Sequence, residues 1–145
     1  YIGGTKNGAL LGEALVIVRD DLKEDFRHLL KQRGAMLAKG FVLGIQFEAL
    51  FEDKLFYQLA DYANYMAEQI IAGLKKHNIA FLAEPCSNQI FPILPNSFMD
   101  QLSNEFLFET IEEIDDNHTA IRFVTSWATT QEGVDALIKF FDSNC

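Results

Sequence analysis

A single lysine lies among four glycines in the run Tyr1-Ile2-Gly3-Gly4-Thr5-Lys6-Asn7-Gly8-Ala9-Leu10-Leu11-Gly12, and this stretch constrains the chain more than any other. Glycines at this density predict a tight turn, because they supply backbone conformations closed to other residues. They also remove side-chain bulk around Lys6, so a flat ligand can approach it closely. Such a lysine suits Schiff-base chemistry once its amine is uncharged. It equally suits a plain surface turn in which the ammonium is solvated. A Walker-type phosphate loop is excluded, since no Gly-Lys-Ser/Thr is present and the elements come in the wrong order.

Past the turn, Ala14-Leu15-Val16-Ile17-Val18 is apolar throughout and predicts a strand buried on both faces. Leu22, Phe26, Leu29 and Leu30 recur at helical spacing up to Arg33, behind Asp20 and Asp21 as capping residues. A second, unusually apolar helix is expected from Ala35 to Phe51. Asp53 then caps a long amphipathic helix with Leu59, Tyr62, Ala63, Met66, Ile70 and Leu74 on one stripe. Short strands follow at 80–83 and 89–94, the second disturbed by Pro92. A short helix spans 98–102, with Asn96 or Ser97 as its cap. Strands over 105–114 and 119–126 pair across the polar tip Asp115-Asp116-Asn117-His118. Thr129 and Glu132 form a capping box for a last helix reaching Phe141. The fold class is α/β, ending in a small layer with an antiparallel sheet.

Chemistry-bearing residues are few. Arg122 lies in the apolar strand Ala120-Ile121-Arg122-Phe123-Val124, where a guanidinium is costly unless paired. Its fork of donors matches a ligand carboxylate, and it equally matches Glu109, Glu112 or another acid on the paired strand. Cys86 and Cys145 have no metal or redox spacing, which points to a reducing cytoplasm, and His28, His77 and His118 are scattered. A metal site is not expected. A net charge of −9 argues against nucleic acid and anionic membranes as partners. No apolar run reaches the roughly 18 residues of a membrane span.

The run Gly3-Gly4-Thr5-Lys6-Asn7-Gly8-Ala9-Leu10-Leu11-Gly12-Glu13-Ala14 resembles the cofactor-lysine segment of the low-specificity threonine aldolases. These belong to the β-eliminating lyase group of pyridoxal-phosphate (PLP) enzymes with the aspartate-aminotransferase type of fold. The resemblance continues through residues 30–40, Asp61-Tyr62-Ala63-Asn64-Tyr65-Met66-Ala67 and Ile121-Arg122-Phe123-Val124-Thr125-Ser126-Trp127. It spans nearly the whole chain, but only the later part of the family's chain.

The resemblance implies three regions. Residues 1–18 would be the last strands of the large PLP-binding domain, 19–52 connecting helices and interface, and 53–145 the small C-terminal domain. It implies that Lys6 is the lysine bonded to PLP, with Thr5 beside it, and that Arg122 holds the substrate α-carboxylate. Lys31 and Lys39 would reach the cofactor phosphate of a neighbouring subunit, Lys39 standing near where the family has an arginine. The implied reaction is cleavage of the Cα–Cβ bond of L-threonine or L-allo-threonine to glycine and an aldehyde, in a homodimer or homotetramer. β-Elimination on the same fold, or a non-catalytic binding or assembly fragment, are the alternative readings. The 145 residues alone are expected to be inactive.

Overall fold

The computed structural model describes all residues from Tyr1 to Cys145. Contacts divide them into two compact units, Tyr1–Leu59 and Ala60–Cys145.

The first unit begins with a minimal antiparallel pair, β1 (Ile2–Gly3) and β2 (Glu13–Ala14), in the register Ile2↔Ala14 and Gly3↔Glu13. The strand expected through Val18 stops at Ala14. Leu15, Val16 and Val18 are 54%, 63% and 85% exposed. An apolar run is buried on both faces only between layers of structure, and this chain offers it one two-residue partner.

Helix α1 (Phe26–Gln32) starts after Asp25, which takes a left-handed φ of 53° and breaks the longer helix expected from Leu22. Helix α2 (Phe41–Phe51) begins six residues later than its apolar composition suggests. Residues 35–39 are all exposed, and a helix turn with nothing to pack against has little to hold it. Asp53 does not cap the next helix. It sits at φ 48° and Lys54 at φ 63°, a left-handed pair that separates α2 from α3 (Leu55–Lys76).

The second unit holds the larger core. The α3 stripe predicted by helical spacing is buried at Ala63, Met66, Ile70 and Leu74, with Ala67 beside it, whereas Tyr62 is exposed and Leu59, the last residue of the first unit, is half-buried. Strand β6 (His118–Val124) is the centre of the sheet, with Ile121 and Phe123 facing inward. The hairpin partner β5 (Glu109–Asp115) lies on one side of β6, across the two-residue tip Asp116-Asn117, and two bulges shift its register. β3 (Gln89–Ile90) and β4 (Ile93–Pro95) lie on the other side. They keep one register against β6, running from Gln89↔Val124 to Pro95↔His118. Pro92 interrupts the strand because it lacks an N–H, yet its carbonyl still accepts from Ile121 N at 3.0 Å.

Helices α4 (Asn96–Ser103) and α5 (Gln131–Asn144) complete the unit. Val134, Leu137, Phe140 and Phe141 of α5 meet the α3 stripe, Leu102 and the sheet in one apolar cluster. Each such side chain contributes roughly 1.5–3 kcal/mol through burial. The cap of α5 is Thr130, whose hydroxyl accepts from Gly133 N at 3.2 Å. Thr129 instead accepts from Ser126 N at 2.8 Å. No helix is long and apolar enough to cross a membrane.

Candidate active site

The lysine turn is built from Gly4 outward. Gly4 N donates to Gly12 O at 3.1 Å, and Gly4 O accepts from Asn7 N and Ala9 N, both at 3.0 Å. These bonds fold residues 4–12 back on themselves, and Gly8 (φ +100°) and Gly12 (φ +98°) supply the left-handed conformations that the reversal needs. Gly4 is buried. A Cβ there would lie 2.8 Å from Ala9 Cβ, 3.0 Å from Phe47 Cζ and 3.1 Å from Gly12 O.

Polar side chains then pin the turn to the helices of the same unit. Asn7 Nδ2 donates to Phe56 O at 2.8 Å. Gln46 of α2 accepts from Leu10 N at 2.8 Å and donates to Leu11 O at 3.4 Å. Thr5 and Lys6 are left at the exposed tip. The Lys6 amine belongs to none of the ion pairs of the chain, and the space beside Gly3 is open. A fixed backbone carrying a free amine is what covalent attachment of a carbonyl cofactor requires.

Lys31 lies in the last turn of α1 and Lys39 just before α2, both exposed and both outside the ion pairs. Hydrogen bonds tie neither to the Lys6 turn.

Arg122 is in the second unit, on the face of β6 opposite Ile121 and Phe123. Its Nη2 donates to Glu109 of β5 in an ion pair, and its Nη1 donates to Gln89 Oε1 at 3.1 Å. Glu109 is the strand partner directly across from Arg122, and Gln89 pairs with Val124 on the same face. The guanidinium therefore spans three strands. Its Nε is buried and has no partner, and an unmet buried donor costs about 1–3 kcal/mol.

No protein-family model matches the chain. It is 30% identical over 141 residues to the low specificity L-threonine aldolase of Pseudomonas aeruginosa, covering 94% of this chain and 39% of that protein. Its identity to the corresponding enzyme of a Pseudomonas sp. strain is also 30%, over 139 residues, covering 93% and 38%. The solved structure of Leishmania major threonine aldolase superposes with a TM-score of 0.94 at 44% identity, over 99% of this chain and 42% of that one. The chain is threonine-aldolase-like. It spans about two fifths of the length of the curated relatives it matches, and its fold is that of the C-terminal region of a PLP enzyme of fold type I.

Three residues of this threonine-aldolase-like chain escape a reading of the sequence. Gln46 and Asn7 anchor the lysine turn, and Gln89 holds Arg122. Only Gln46 leaves a trace, as an uncharged polar residue inside the apolar run Phe41-Val42-Leu43-Gly44-Ile45-Gln46-Phe47.

Proposed function

We propose that this chain supplies the cofactor lysine and C-terminal part of a PLP-dependent lyase. The enzyme splits the Cα–Cβ bond of β-hydroxy-α-amino acids such as L-threonine and L-allo-threonine, giving glycine and an aldehyde. PLP, when bound, acts as the electron sink that lets a bond at Cα break. Lys6 holds it through its amine, with Thr5 alongside. Lys31 and Lys39 offer positive charge to the phosphate bound in a neighbouring subunit, as point charges rather than a fork. Arg122 receives the substrate α-carboxylate and so orients the amino acid.

In this reading residues 1–18 close the large cofactor domain, 19–52 form the interface of a homodimer or homotetramer, and 53–145 form the small domain. A cytoplasmic location fits the two free, exposed cysteines. One observation carries the proposal: an unpaired amine on Lys6, at the tip of a turn whose backbone is fixed at Gly4, Asn7 and Leu10.

Borohydride reduction of the full-length protein loaded with PLP, followed by peptide mapping, tests it. A pyridoxyl adduct is expected on the peptide containing Lys6 and is absent from Lys6→Ala. An adduct elsewhere, or none on PLP-loaded protein, refutes the assignment.

A further inference from the structure

Two different acceptors hold the Arg122 guanidinium, one neutral and one anionic. Gln89 is neutral and sits in β3 in register with β6, its own N–H bonded to Ser87 Oγ at 3.2 Å. Glu109 is anionic, at the first position of β5, and its side chain is 65% exposed against 30% for Arg122. A carboxylate so open to water leaves its partner easily, because solvent replaces most of what the pair provides.

An arginine has five N–H donors, and here two are engaged while Nε is buried and unmet. The donor set is thus incomplete, and one of its two acceptors is readily exchanged. A receiver for an external carboxylate needs an acceptor that solvent already competes with and a guanidinium that stays aimed, and Glu109 and Gln89 provide these in turn.

We infer that Glu109 is an internal stand-in for the substrate carboxylate on Arg122, while Gln89 is the permanent anchor that keeps the guanidinium aimed. This rests on the assignment of Arg122 made above and adds two positioning residues to it. Glu109 keeps the fork extended across the sheet before substrate arrives. It then competes with the incoming amino acid, because two carboxylates on one guanidinium repel each other. Its charge therefore sets a weaker affinity for substrate than Arg122 alone would give.

The test is carried out on the full-length, PLP-loaded protein. Glycine binding is measured by calorimetry, and KM and kcat are measured with L-threonine. Glu109→Gln keeps an acceptor for Nη2 and removes the charge. It is expected to tighten glycine and lower KM by about three- to tenfold, with the change in KM rather than kcat and shrinking at high salt. Glu109→Thr, which suits a strand, is expected to act in the same direction and guards against a folding artefact specific to the glutamine. Gln89→Ala is expected to raise KM, since the guanidinium loses its anchor. In an Arg122→Ala background the Glu109 substitutions are expected to have no further effect.

Unchanged or weakened glycine binding in both Glu109 variants overturns the inference. So does a gain that persists without Arg122. Failure of the aldolase reading itself shows separately, as a missing adduct on Lys6.

Discussion

The Gly4→Ala substitution adds one methyl group to the turn that carries Lys6, and the structure says what that group meets. Its Cβ would stand 2.8 Å from Ala9 Cβ, 3.0 Å from Phe47 Cζ and 3.1 Å from Gly12 O. None of these is the end of a flexible arm. Ala9 has no torsion to turn, Gly12 O is backbone, and the Phe47 ring is 9% exposed. The strain cannot be relieved at one atom, so the turn and α2 must separate. Overpacking of this kind costs about 1–3 kcal/mol.

Gly3→Ala is the control. It adds the same methyl one residue earlier, where nothing lies within 4 Å and φ is not left-handed. There the smaller entropy of the unfolded chain is expected to stabilise by about 0.4–1 kcal/mol. With urea slopes of roughly 1–3 kcal/mol/M for small proteins, the two variants are expected to move the midpoint in opposite directions and differ by about 0.5 M or more. Reduced pyridoxyl adduct at Lys6 is expected to fall in Gly4→Ala only. Coincident urea curves for the two variants would refute the packing argument.

Three further outcomes are expected. Leu74→Ala, at a position 2% exposed in the α3 stripe, is expected to cost about 2–5 kcal/mol by the cavity it leaves, read from the urea midpoint. Thr130→Ala is expected to cost about 1 kcal/mol as the lost cap of α5. Glycine at 130, which keeps the extended cap backbone accessible, is expected to recover most of that loss in thermal melts. At the hairpin tip, the Asn117 N–H bond and then His118 hold the Asp115 carboxyl below its ordinary value of 3.8. Because the folded pKa is depressed, this contribution is fully present above the ordinary value and lost as pH falls through the lower, folded one. The stability gap between wild type and Asp115→Asn is therefore expected to be present above the ordinary carboxylate value and to narrow as pH falls below it, measured as urea midpoints across an acid pH series.

Periodicity made much of the second unit legible. The α3 stripe follows from spacing alone, and so does the existence of the hairpin, although its first strand starts at Glu109 rather than 105 and its tip is Asp116-Asn117 rather than 115–118. Pro92 announces its own interruption, although the sequence does not say that register survives it. Local spacing fails where the outcome depends on what packs against a segment. Leu15, Val16 and Val18 look like core and are exposed, and residues 35–39 look helical and are not. Thr129 and Thr130 offer the same hydroxyl one residue apart, so only the backbone path decides between them. For the candidate site, Lys6 and Arg122 stand out by residue type. Their supports do not, because Gln46 reaches the turn from 36 residues away and Asn7, within the turn, bonds a carbonyl 49 residues further on. The Arg122–Glu109 pair was foreseeable as one of several pairings, whereas the bond to Gln89 was not.

The attachment of the turn to α2 limits how it could be transplanted. Cutting out Gly3–Gly12 and splicing it into a new scaffold would carry over the lysine and its glycines. It would leave behind the Gln46 amide, the Phe47 ring and the Phe56 carbonyl that hold them. All three of these supports lie outside the recognisable motif. A designer borrowing this lysine would therefore have to copy α2 and the start of α3 along with the loop.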